Sequence, residues 1–66
     1  MTEALTPQER RVVEAMFVAE SEADAAKRLG LSRHTVHAYL ATARGKRNVR
    51  TTRALIALEL RTHERA

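Results

Sequence analysis

The chain has 66 residues, a mass of 7.4 kDa, no cysteine and a formal net charge of +4 at pH 7. That size is one small domain, expected to span 1–66 with its core at about 5–62, and with 12 alanines it can fill one core and no second. Disulfide scaffolds and thiolate metal sites are excluded by the missing cysteine, and a catalytic cleft of roughly 300 Å³ or more is hard to enclose with so little wall.

No apolar run approaches the length of a membrane span, and the start, Met1-Thr2-Glu3, is polar and acidic, unlike a secretory leader. A cytoplasmic, non-enzymatic protein with no cofactor and no membrane partner is expected. The charge is unevenly laid out. From Lys27 to Arg53 there are eight basic residues and no acid, whereas the flanks hold four basic and eight acidic residues. A basic block of this kind suits a polyanion, most often nucleic acid. Phe17 and Tyr39 are the only aromatic residues, too few for a platform that stacks single strands.

Every segment reads as helix. Thr6, Pro7 and Glu9 form a capping box with proline at the first helical position. Val12, Val13, Met16 and Phe17 then make an apolar stripe, and helix one is expected to reach about Ala19. Ser21 caps helix two, with Asp24 reaching back in the box position. Ala25, Ala26 and Leu29 face inward, and Gly30 ends this helix after about eight residues. Ser32 caps helix three, at about 32–47, with Val36, Leu40 and Ala43 on its buried face. Asn48 is its stop. Thr51 or Thr52 caps a fourth helix through Leu55, Ile56, Leu58 and Leu60.

Helix two, Gly30-Leu31-Ser32 and helix three form a helix-turn-helix. The alanines let the helices approach closely, and the start of helix three protrudes far enough to enter a major groove. Arg33 and His34 at that start are candidates for polar base contacts. Arg44, Arg50 and Arg53 are candidates for phosphate. His34 and His37 stand three residues apart, but with His63 remote and acids few no metal site is expected. Tyr39 reads as a packing residue with its hydroxyl at the surface.

Leu5-Thr6-Pro7-Gln8-Glu9-Arg10-Arg11-Val12-Val13, and the stretch from Ser21 through Ala26-Lys27-Arg28-Leu29-Gly30-Leu31-Ser32-Arg33-His34-Thr35-Val36, resemble LuxR/GerE-type DNA-binding domains. Lys46, Val49 and the fourth helix fit the same pattern, so the resemblance covers about 5–60. Sigma-factor region-four domains share much of the central core, and the fourth helix favours LuxR/GerE. The resemblance implies an all-α, four-helix (tetrahelical) domain, either a stand-alone regulator or a fragment of a larger one. Met1 with its short lead reads as a natural start. It also implies that Thr35 contacts phosphate, that Lys46 lies near the DNA backbone, and that His37, Ala38 and Ala41 face the bases, with Ser21 as the phosphate contact of helix two. Ser32 opens the same DNA-facing helix.

The chain departs from the family at Tyr39, where a histidine is usual, and at Ala43 and Arg47, where isoleucine and leucine are usual. Thr52 stands where arginine is frequent, and Glu22 and Asp24 stand where neutral or basic residues are. The expected function is a small transcriptional regulator that prefers certain double-stranded DNA sequences. The alternative is a protein-interaction module that binds a sigma factor, RNA polymerase or another regulator. Leu58 and Leu60 are the expected homodimer face, with the dimer forming mainly on DNA.

Overall fold

A computed structural model describes residues 4–65, with side chains to Thr62; Met1–Glu3 and the side chain of His63 lie outside it. Four helices follow in order, α1 (Pro7–Met16), α2 (Glu22–Leu29), α3 (Arg33–Arg47) and α4 (Thr52–Arg65), and the described residues contain no strand. The all-α, four-helix expectation holds.

Each helix starts where a side chain can take up its free amide groups. Thr6 Oγ1 accepts from the Glu9 N–H at 3.2 Å, and Glu9 Oε1 accepts from the Thr6 N–H at 2.8 Å, which completes the capping box. Ser21 Oγ accepts from the Asp24 N–H at 3.1 Å. Asp24 reaches one residue further back than a box requires, and its Oδ2 accepts from the Glu20 N–H at 3.1 Å. The same oxygen accepts from Arg28 Nε at 3.0 Å. The Glu20 amide and then the Arg28 guanidinium hold the Asp24 carboxyl below its ordinary value. Of the two threonines expected as caps of α4, Thr51 is the cap, accepting from the Ala54 N–H at 3.0 Å.

Two helices end in the left-handed conformation. Gly30 has φ 70°, and Leu31 N–H returns to Ala26 O at 2.9 Å. Asn48 has φ 57°, and Val49 N–H returns to Arg44 O at 3.1 Å. Both are Schellman closures, and both place an apolar residue, Leu31 or Val49, back against the core. Gly30 has no Cβ to penalise such a turn, and asparagine tolerates it better than most residues. Helix α1 stops at Met16, three residues short of the expected Ala19. The amides of Phe17 and Val18 turn to the carbonyls three residues back, and the Asp24 carboxylate takes the Glu20 amide, so the chain is already turning.

Helix α3 is the centre of the packing. It touches all three other helices, whereas α2 and α4 make no contact among the described residues. Its Val36, Leu40 and Ala43 are fully buried against Val12 and Val13 of α1, Ala25 and Ala26 of α2, and Leu55 of α4, with Leu5 closing one side. The inward stripe of α4 differs from the expected pairing of Leu55 with Leu58. Leu55 is buried, but the next buried residue is Glu59, one helical turn on; Leu58 is half-buried and Leu60 exposed.

Two buried carboxylates explain this. Lys46 Nζ donates to Glu9 Oε1 at 2.8 Å, and Arg47 Nε donates to Glu59 Oε2 at 2.7 Å. All four side chains are largely covered, Glu9 to 6% exposed and Glu59 to 10%. Burial pushes the Glu9 carboxyl up, but Lys46 and the Thr6 groups outweigh it and leave it below the ordinary 4.5.

R47L strands the covered Glu59 carboxylate and is expected to cost about 3 kcal/mol, and E59L takes from Arg47 the carboxylate it faces and should destabilise as well. The double variant replaces both with apolar side chains and should recover most of that loss. Urea unfolding of the four proteins checks this; a double variant as unstable as either single one would show that the pair is not the source. A second expectation concerns pH. Because the Glu9 carboxyl is lowered in the fold, its pairing adds stability above its ordinary value and loses it as pH falls through the lowered one. The melting temperature should therefore fall in acid, and E9Q should flatten that part of the curve. An equally steep acid fall in E9Q would assign it to other groups.

Candidate nucleic-acid interface

The packing of α3 leaves one side bare. With Val36, Leu40 and Ala43 turned inward, Arg33, His34, His37, Ala38, Ala41, Thr42 and Gly45 are exposed. His34, His37, Ala38, Ala41 and Gly45 follow one another at helical spacing, so they form a single stripe along the helix. Helix α3 carries no acidic residue. The stripe begins immediately after the Gly30-Leu31-Ser32 turn, so the helix-turn-helix read from the sequence presents α3 outward.

The polar residues at the start of α3 are held locally. Ser32 Oγ accepts from the Thr35 N–H at 3.0 Å, and its hydroxyl lies 2.8 Å from Thr35 Oγ1, to which it donates. Thr35 is half-buried and keeps its own hydroxyl hydrogen for another acceptor. Ser21 is exposed at the start of α2, its oxygen engaged in the cap.

His37 does not stand alone. Its Nδ1 lies 3.1 Å from Glu22 Oε1 on the first turn of α2. Glu22, Arg33, His34 and His37 line an open cleft between the two helices. Glu22 was readable as an acid at the start of helix two, but its partner was not, because the two residues are 15 positions apart.

The remaining candidates divide. Arg50 and Arg53 are exposed at the turn into α4. Arg44 is half-buried and donates from Nη1 to Thr52 Oγ1 at 2.8 Å, which ties α3 to the start of α4. Lys46 is turned inward, with Nζ on Glu9 and, at 3.3 Å, on the carbonyl of Ala4. Of the eight basic residues in the central block, Lys46 and Arg47 are thus matched by buried carboxylates. Lys27 is an exposed cation on α2 that sequence reasoning did not single out. Its position between two inward-facing alanine and leucine turns was the available signal. Tyr39 packs against the core as expected.

Among the described residues no three His, Asp or Glu side chains group as a metal site. No described helix is long and apolar enough to cross a membrane.

Neither a curated protein nor a solved structure gives a match to the chain. The family model for sigma-70 region 4 matches residues 1–46, which takes in α1, α2 and α3 almost to its end. The matched stretch contains the capped first helix, the alanine-packed hairpin and the exposed face of α3, and on it the chain belongs to the sigma-70 region 4 family, helix-turn-helix modules of DNA binding and transcription rather than enzymes.

Proposed function

We propose that this chain is a small regulator that binds double-stranded DNA by laying α3 in the major groove. The observation that carries the reading is the bare, acid-free stripe of α3 that begins at the helix-turn-helix turn. Arg33 and His34 are exposed at the end that enters a groove first. Ala38 and Ala41 offer methyl groups to thymine. Thr35, Ser21, Arg44, Arg50 and Arg53 surround this stripe as phosphate contacts. Lys46 reaches phosphate only by leaving Glu9, so its main work is to hold α1 against α3.

The finer LuxR/GerE reading rests on α4. The family match ends at Lys46, and the chain continues into a helix of 14 residues packed on α3 and α1. The reading carries with it the cytoplasm as the place of work.

Binding to duplexes of random sequence, titrated with salt, tests this directly. Affinity should fall steeply with salt, and R50A or R53A should weaken all duplexes alike and flatten the slope by about one unit each. R33A and H34A should lower the preference for a selected site more than general affinity. Negligible binding at low salt would leave the protein-interaction reading, which the two alanines on the reading face favour.

Assembly gives a separate test. Leu60 is 39% exposed on the outer side of α4, with Ile56 half-buried one turn before it on the same side and Leu58 half-buried on the opposite flank. A two-fold pair through this strip would set two α3 helices about one DNA turn apart. Sedimentation with a palindromic duplex should give two chains per duplex, and L60K should reduce this to one. One chain per duplex from the unaltered protein would rule out the pair.

A further inference from the structure

Histidine has two ring nitrogens, and in the neutral ring one donates while the other accepts. Which does which is set by the partner of one of them. In this structure the partner is the Glu22 carboxylate, 3.1 Å from Nδ1. An ionised carboxylate only accepts, so the proton belongs on Nδ1. That leaves Nε2 as an acceptor. The His37 side chain is 60% exposed, and no described residue hydrogen-bonds Nε2. The other charged or titratable groups lining the same cleft are Arg33 and His34 of α3.

We propose that Glu22 fixes His37 as the Nδ1–H tautomer, and that the outward Nε2 reads an exocyclic amino group in the major groove, N6 of adenine or N4 of cytosine. The inference rests on the reading of α3 as the duplex-reading helix. It deepens that reading by naming the base chemistry that one position recognises. Adenine and cytosine are the bases that present a donor in that groove; guanine and thymine present acceptors there. Glu22 is a positioning residue, and His37 is the residue that touches DNA. The carboxylate also opposes phosphate nearby, so it lowers general affinity while it sharpens the choice of base. Neutral His37 is the reading form, because a protonated ring donates from both nitrogens.

The tautomer is readable without DNA, from the ¹⁵N shifts of the imidazole nitrogens at mildly alkaline pH. The unaltered protein and E22Q, whose amide oxygen still accepts, should show the Nδ1–H form, and E22A should lose it. Selection from random duplexes should then give the unaltered protein a preference of about fivefold for adenine or cytosine at one position. H37A should lose that preference with the other positions intact. E22Q should keep it and bind all duplexes more tightly, whereas E22A should weaken it.

An Nε2–H ring in the unaltered protein overturns the proposal, even if duplex DNA is bound. So does an H37A site identical to the original, or loss of the preference in E22Q while the tautomer is retained. If no duplex is bound at all, the reading of α3 fails and this inference falls with it. If duplex is bound and only His37 proves silent, the inference fails and the reading of α3 stands.

Discussion

Two adjacent residues at the end of α3, Lys46 and Arg47, hold this domain together from opposite sides. Neighbours on a helix point about 100° apart, so one reaches Glu9 of α1 and the other Glu59 of α4. The apolar core is too small to fix three helix directions alone. Nine of the described residues are buried in it, and three of them are alanine. Buried ion pairs are poor sources of net stability, because the desolvation of both charges offsets their attraction. What they supply is direction. A helix whose last turn is hydrogen-bonded to α1 and α4 cannot rotate without breaking these bonds, and rotation of α3 is the motion that would redirect its bare stripe.

This arrangement also changes what the charge layout means. Counted along the sequence, the central block is +8 without an acid. Folded, two of those charges face buried carboxylates supplied by the flanks. Arg28 is paired with Asp24 on the surface, where such a pair is screened and weak. The exposed cations that remain, Lys27, Arg33, Arg50 and Arg53, lie on α2, at the start of α3 and at the turn into α4. The positive surface is thus less intense than the sequence suggests and is distributed over three elements, as suits a partner with charge spaced along its length.

The features legible in the sequence are those written locally. The caps at Thr6, Ser21 and Ser32, the glycine at residue 30 and the asparagine at residue 48 all act within a few residues, through side chain to backbone bonds that a short motif encodes. The inward face of α3 was equally legible, since Val36, Leu40 and Ala43 repeat at helical spacing. The hidden features join distant residues. Glu9 reads locally as a capping acid, yet its second partner is 37 positions away. Glu59 stands between Leu58 and Leu60, the residues expected at a dimer face, yet it is buried and they are less so. One signal pointed to it, the arginine at 47 in a place where the resemblance leads one to expect leucine. A cation at an apolar position requires an acid opposite, and α4 carries one acid at inward spacing from Leu55. The same reasoning applies to Lys46, whose match to a DNA-proximal lysine says nothing of a carboxylate waiting on α1.

The face of α3 proposed to read DNA is sparse, and that sparseness has a physical sense. Two alanines at its middle keep the helix slim, which in the proposed complex would let bases and helix approach closely, with methyl contacts in place of hydrogen bonds. Discrimination then falls to few polar atoms, and each must have a defined donor or acceptor character. A freely tautomerising histidine would accept in one form and donate in the other, and so discriminate little. A carboxylate on the neighbouring helix removes that ambiguity, at a cost in attraction to phosphate. If the protein chooses one site among many, as proposed, the cost falls on all sequences alike, whereas the gain falls on one. Specificity is a difference between affinities, so an acid beside a DNA-reading helix, which opposes binding in every simple charge argument, raises the ratio that selects a site.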